Sequence, residues 1–147
     1  MIMDSLLEFA DSQSIAAAAS TILSTNVIDT QDARDIGNGQ PLYLVIQIDT
    51  AVVGSSSTIQ FRLRSDSTAS IHATTSTGHT DSGAIAEATL IIGYQLVIPL
   101  PPEGSNAYER YLGVQAIIGT ATTTAGAYSA FLTFDPVGNK SYPDATN

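Results

Sequence analysis

The residues with the most obvious chemical potential lie in TSTGHTDSG, residues 75–83, where His79, Asp81 and Ser82 supply the three side-chain types of a hydrolase relay. Such a relay needs nucleophile, base and orienting acid to converge from a rigid scaffold beside an oxyanion hole, and three neighbours on one glycine-flanked loop do not do so. The chain has no G-x-S-x-G elbow, so no catalytic residue and no enzyme are expected. His72 and His79 are the two histidines, and without cysteine or an HExxH pattern they do not amount to a zinc set. Asp29, Asp32 and Asp35 repeat every third residue. A calcium loop instead needs oxygens at alternate positions, a glycine at the sixth and a glutamate at the twelfth. These acids read as solvated turn residues with Arg34 among them to offset their charge; neither a metal nor a cofactor is expected. Tyr108 and Tyr111 flank Arg110 and could form a sugar-stacking platform, but aromatics in or beside strands more often pack across the sheet.

Any such residues would have to be positioned by a single domain of 147 residues, long enough to bury a core without metal or disulfide staples. The net charge is -9, and the five basic residues, Arg34, Arg62, Arg64, Arg110 and Lys140, are scattered. No basic stripe exists to neutralise a phosphate backbone, so nucleic acid is not expected as a partner. No run approaches the roughly 18 apolar residues of a membrane span, so no membrane is expected either. The alanines of MIMDSLLEFADSQSIAAAAS imitate a signal peptide, but Asp4, Glu8 and Asp11 stand where its basic and apolar regions belong; the segment reads as part of the mature chain.

Period-two patterning dominates. Leu44, Ile46 and Ile48 alternate with Val45, Gln47 and Asp49, and Ile59, Phe61 and Leu63 with Gln60, Arg62 and Arg64. Further strands are expected at 70–74, 84–91, 94–100, 110–118 and 127–135, with a fainter one at 14–23. The breaks, GNGQP, VGSSS, RSDSTAS, STGHTDSG, LPPEGSN and GTATTTAG, carry turn chemistry. About eight short, evenly spaced strands predict an all-β jelly-roll sandwich. An immunoglobulin-like sandwich would give similar spacing, without the cysteine pair and tryptophan of antibody domains. The expected organisation is an N-terminal arm over 1–13, a jelly-roll body over 14–136 and a C-terminal tail over 137–147. Leu6, Leu7 and Phe9 give the arm an apolar side, which docks either on its own domain or on a neighbour.

The segments MIMDSLLEFADSQ, STNVIDTQDARDIGNGQPLYLVIQIDTA, LPPEGSNAYERYLGVQAIIGTATTTAG and SAFLTFDP, taken in order, resemble the capsid cement, or decoration, proteins of short-tailed bacteriophages related to a Bordetella phage. The likeness covers most of residues 1 to 136. It implies a jelly-roll protein on the outer surface of an icosahedral virion, bridging subunits of a major capsid protein of HK97-like fold. It also implies a homo-oligomer, a dimer in preference to a trimer. On this reading the interface candidates are Leu6, Leu7 and Phe9 as arm anchors and Asp32, Arg34 and Asp35 as charged contacts, with Arg110 and Tyr111 behind them. The alternative is a glycan-binding jelly-roll domain acting as a virion adhesin; a small hydrolase comes third.

Overall fold

The computed structural model describes residues 4–36 and 38–136. The expected tail, 137–147, lies outside the described residues. In chain order the strands are β1 (Glu8–Ser14), β2 (Thr21–Leu23), β3 (Ile28–Asp29), β4 (Tyr43–Gly54) and β5 (Thr58–Asp66). They continue with β6 (Thr77–Asp81), β7 (Ile85–Ala86), β8 (Gln95–Pro99), β9 (Tyr111–Gly119) and β10 (Thr123–Thr133). Short 3₁₀ turns occupy Ser5–Leu7 and Glu87–Thr89.

One sheet has the order β1-β10-β4-β8 and the other β2-β9-β5-β6, with β3 added along β9 and β7 along β5. All pairings are antiparallel. Along the eight main strands the chain changes sheet at every connection except the one from β5 to β6, which is the winding of a jelly roll. The alternation read in β4 and β5 determines which faces meet. Leu44, Ile46 and Ile48 of one sheet are buried against Ile59, Phe61 and Leu63 of the other, joined by Leu112, Val114, Ala116 and Ile118 of β9 and by Tyr128, Ala130 and Leu132 of β10. The Phe61 and Tyr128 rings meet at 5.1 Å between centroids. Each large side chain so buried contributes about 1.5–3 kcal/mol, which is why these strands hold one register.

Three expectations need correction. The strand expected at 70–74 is a turn, and β6 forms instead at Thr77–Asp81, inside a segment that reads as a break. β6 is an edge strand held by backbone pairing with β5, so it needs no apolar alternation. Residues 67–76 fold back over the outer face of β9, where Ile71 covers Gly113; a Cβ there would collide with the Ile71 and Leu23 side chains. The expected strand at 84–91 shortens to β7 and a 3₁₀ turn, because Glu87 turns away to cap the β4–β5 connection.

The third correction concerns the arm. Residues 8–14 are not free of the body: they form β1, paired to β10 from Glu8↔Phe131 to Ser14↔Ala127. Phe9 is 0% exposed and belongs to the core. It therefore cannot anchor a neighbour without opening the sandwich.

The strand ends define two poles. At the turn pole, residues 55–57 join β4 to β5 and residues 120–122 join β9 to β10, with Ser56 and Thr120 at positive φ. The Glu87 carboxylate accepts the Ser56 and Ser57 backbone N–H groups at 3.0 Å each and the Ser57 hydroxyl. A Cβ on Gly54 would run into the same carboxylate and hydroxyl, so the cap depends on glycine there. At the loop pole the connections over 30–42 and 100–110 are long, and the chain enters at Glu8 and leaves β10 at Thr133 side by side.

Candidate functional site

The sequence candidates gather at the loop pole. Asp4 caps the 3₁₀ turn by accepting the Leu6 N–H at 2.9 Å, and this leaves Leu6 76% exposed while Leu7 leans on the core. Of the three apolar candidates, Leu6 alone presents a fully available side chain, Leu7 is half-buried, and Phe9 is sealed. The Asn26 side chain donates to the Glu8 carbonyl at 2.7 Å and its backbone N–H to the Phe9 carbonyl at 2.9 Å. Those bonds fasten the start of β1 to the segment that leads into the acidic loop.

The three acids each go to a different partner. Asp29, on β3 opposite Tyr111 of β9, receives both the Nε–H and an Nη2–H of Arg110 at 2.7 Å. The fork of Arg110 and then the Gln31 N–H hold the Asp29 carboxyl at about 2, and the same pair pushes Arg110 upward. Asp32 is exposed and accepts the adjacent Ala33 N–H at 2.9 Å. Asp35 accepts the Glu103 N–H at 3.0 Å, which ties the 30–42 loop to the 100–110 loop. Arg34 lies exposed on the outside of this pair of loops. Asp29 was singled out in the sequence only as a turn acid; its role as partner to Arg110, 81 positions away, depends on the β3–β9 pairing. Among the described residues, no group of three acids or histidines converges closely enough for a metal ion.

Arg110 also lies over the Tyr111 ring, its carbon 4.9 Å from the centroid. The guanidinium is thus fixed on both sides, by Asp29 and by the ring, and it covers the face a sugar would use. Tyr108 is no platform either. It is buried, donates its hydroxyl to the Pro101 carbonyl at 2.6 Å, and has its own ionisation pushed up to about 12 by burial and the Asp35 charge. Tyr108 thus packs into the body, as aromatics beside strands are expected to, and Tyr111 carries Arg110 on its ring.

The His79, Asp81 and Ser82 side chains do not form a relay. Ser82 Oγ donates to the Gly83 carbonyl at 2.7 Å and accepts the Phe61 N–H, while Asp81 takes the Gly83 N–H and lies 3.3 Å from Arg62. His79 turns the other way. Its Nε2 is 2.7 Å from Ser65 Oγ, and its ring stacks on Tyr108 at 3.9 Å. Burial lowers the His79 pKa, partly opposed by the Glu109 charge, which favours the neutral ring. The Ser65–His79 contact was not foreseen, because the two meet only through the β5–β6 pairing. Ser65 is fully buried and its oxygen also accepts the Glu109 N–H at 3.0 Å, which leaves it no approach to a substrate.

The loop pole therefore offers a clamped Arg110–Asp29–Tyr111 unit, two loops tied by Asp35, and exposed Leu6, Asp32 and Arg34, all on a rigid body. In a comparison with known families, the family model described as Bbp16, named after a Bordetella phage protein, matches residues 9–132. No curated protein matches the chain.

Proposed function

The chain belongs to the Bbp16 family, and from that premise we propose that it is a virion structural protein, a capsid cement protein on the outer surface of an icosahedral phage head. In this reading it bridges subunits of a major capsid protein of HK97-like fold. Each copy holds more than one capsid subunit, so separating any capsid contact also breaks cement contacts, and many modest interfaces act together through effective concentration. The ligand-bound state of the shell is stabilised by mass action in the same way as any folded protein that binds a partner.

The observation that carries this reading is the loop pole: long loops tied to one another by Asp35, with an exposed Leu6 beside them. Leu6 lies outside the span matched by the family, which begins at Phe9 and so covers the sandwich from β1 to β10. The body supplies rigidity, and the segment before it supplies an apolar contact. A dimer is favoured over a trimer because β8 ends the first sheet and carries no charged residue over Gln95–Pro99. Such an edge pairs with a second copy of itself in antiparallel fashion about a two-fold axis.

The test is co-sedimentation with purified shells. Removing residues 1–6 leaves Phe9 and β1 in place, and it should give a folded protein that decorates poorly; Leu6→Asp should act in the same direction. Full decoration by both variants would defeat the reading of this pole as the attachment surface.

A further inference from the structure

Arg62 and Arg64 occupy successive outward positions of β5 and make up two of the chain's five basic residues. They line one cleft together with Gly78, His79, Thr80 and Asp81, opened where the β5–β6 register shifts between Leu63 and Arg64. Its volume is about 360 Å³. Ligand pockets begin at roughly 300 Å³, so there is room for a small polar molecule or one side chain.

The two arginines are not equivalent. Arg62 lies at the rim, 3.3 Å from Asp81. Arg64 is 7% exposed under the 67–76 loop; its Nη1 donates to the Ser76 carbonyl at 2.6 Å, and its Nε is buried without a partner. Among the described residues the ion pairs are Arg62–Asp81 and Arg110–Asp29, so no carboxylate offsets Arg64. The next outward residue, Asp66, is engaged elsewhere, accepting the Ser76 hydroxyl at 2.6 Å and the Thr68 N–H at 3.1 Å. The chain has fourteen acids against five basic residues, so this is not a shortage of counter-charges. A buried guanidinium without one is costly, and burial together with the Arg62 charge pushes Arg64 below its ordinary range.

We propose that this cleft binds one carboxylate, seated between Arg62 and Arg64. Asp81 already offsets Arg62, so one positive charge is left, and a monoanion balances it. The Ser76 carbonyl fixes the Arg64 guanidinium through Nη1 and the Nε lies buried beneath it, so the carboxylate meets the remaining Nη2 donor at the cleft. The carboxylate comes either from a free small molecule or from an acidic side chain of another protein. The site does not depend on shell attachment, and its test uses no shells.

The full-length protein is titrated with sodium acetate, and with sodium chloride at matched ionic strength, while the arginine Nε–H resonances are followed by NMR. Acetate should shift the Arg64 signal saturably and chloride should not. Arg62→Gln should weaken acetate binding roughly tenfold, the effect expected for one charge-assisted contact. Arg64→Met should abolish binding; if that variant does not fold, Arg62→Gln alone decides. The source is separated by an acetylated Ala-Ala-Glu-Ala-Ala amide and its Gln counterpart. Tighter binding of the Glu peptide than of acetate identifies a protein side chain, and equal or weaker binding identifies a free carboxylate. An equal response to chloride and acetate overturns the proposal. So does an Arg64 Nε–H that ignores acetate and moves in Gln115→Leu, since Gln115 Oε1 on the neighbouring strand is likewise buried without a partner and would then be its structural mate.

Discussion

The two poles of the sandwich are closed by different means. At the turn pole a single carboxylate, Glu87, gathers two backbone N–H groups and a hydroxyl, and Thr123 adds a hydroxyl bond to the Ile15 carbonyl. The longest connection there, residues 82–94, is held down by Glu87 itself and by backbone bonds to β4. At the loop pole the closure is spread over β1, Asn26, the Arg110–Asp29 fork and the Asp35 tie, each joining segments far apart in sequence. The difference is that one end is closed around a single carboxylate and the other by ties between segments far apart in sequence. At both ends the long connections must be tied down to keep a shape.

The comparison is broken most severely at β1. Phe9→Ala should cost about 3–5 kcal/mol of stability, measured by denaturant melting, because it empties a core site at the start of the sandwich. Leu6→Ala, three residues earlier, should change stability by less than about 0.5 kcal/mol, as expected for an exposed position. If the two variants melted alike, Phe9 would belong to an arm after all.

Acid should separate the poles. Hydrogen bonds from Ser57 and Ser56 hold Glu87 below its ordinary 4.5, and Arg110 holds Asp29 at about 2 against an ordinary 3.8. Both carboxyls have depressed folded values, so their contributions are present above the unfolded value and disappear as pH falls through the folded one. On acidification the Glu87 contribution therefore begins to fade near 4.5, and the Asp29 contribution is lost between 3.8 and about 2. Amide exchange from pH 5 to 2.5 should show Ser56 and Ser57 losing protection before Gln31; the reverse order would show that the clamp, not the cap, is the more acid-sensitive closure. His79 adds a separate slope, since its lowered value makes the fold lose stability as pH drops below the unfolded 6.5.

The smallest effect lies between the poles. The Tyr128 hydroxyl is buried without a partner, so Tyr128→Phe should leave stability unchanged or raise it by up to about 1 kcal/mol. A clear loss would mean that the hydroxyl has a partner within the waist of the sandwich and that the core, as well as the poles, is tied by polar bonds.

The strands that both face the core and keep strict alternation, β4, β5 and β9, were legible because each apolar residue repeats at the period of the pleat. β1 was not. Its register shifts between Ala10 and Gln13, with Ser12 at positive φ, so EFADSQS never shows two clean periods. β6 was hidden for another reason, since an edge strand of Thr, Gly, His and Asp carries the composition of a turn. Among the site residues, the acidic loop and Arg110 were visible, but their pairing was not, because Asp29 reaches Arg110 only through the β3–β9 ladder. The isolation of Arg64 was equally invisible: the strand period turns it outward, and only the folded 67–76 loop buries it.

β1 and β10 run antiparallel, and this has a use in engineering. Since Glu8 pairs with Phe131, cargo fused ahead of β1 or behind β10 emerges at the loop pole, beside the surface proposed to grip the shell. A peptide meant for display would do better spliced into residues 120–122, where the β9–β10 connection faces the opposite way. The winding thus brings the start of β1 and the end of β10 to the loop pole and makes an internal turn the natural point of attachment.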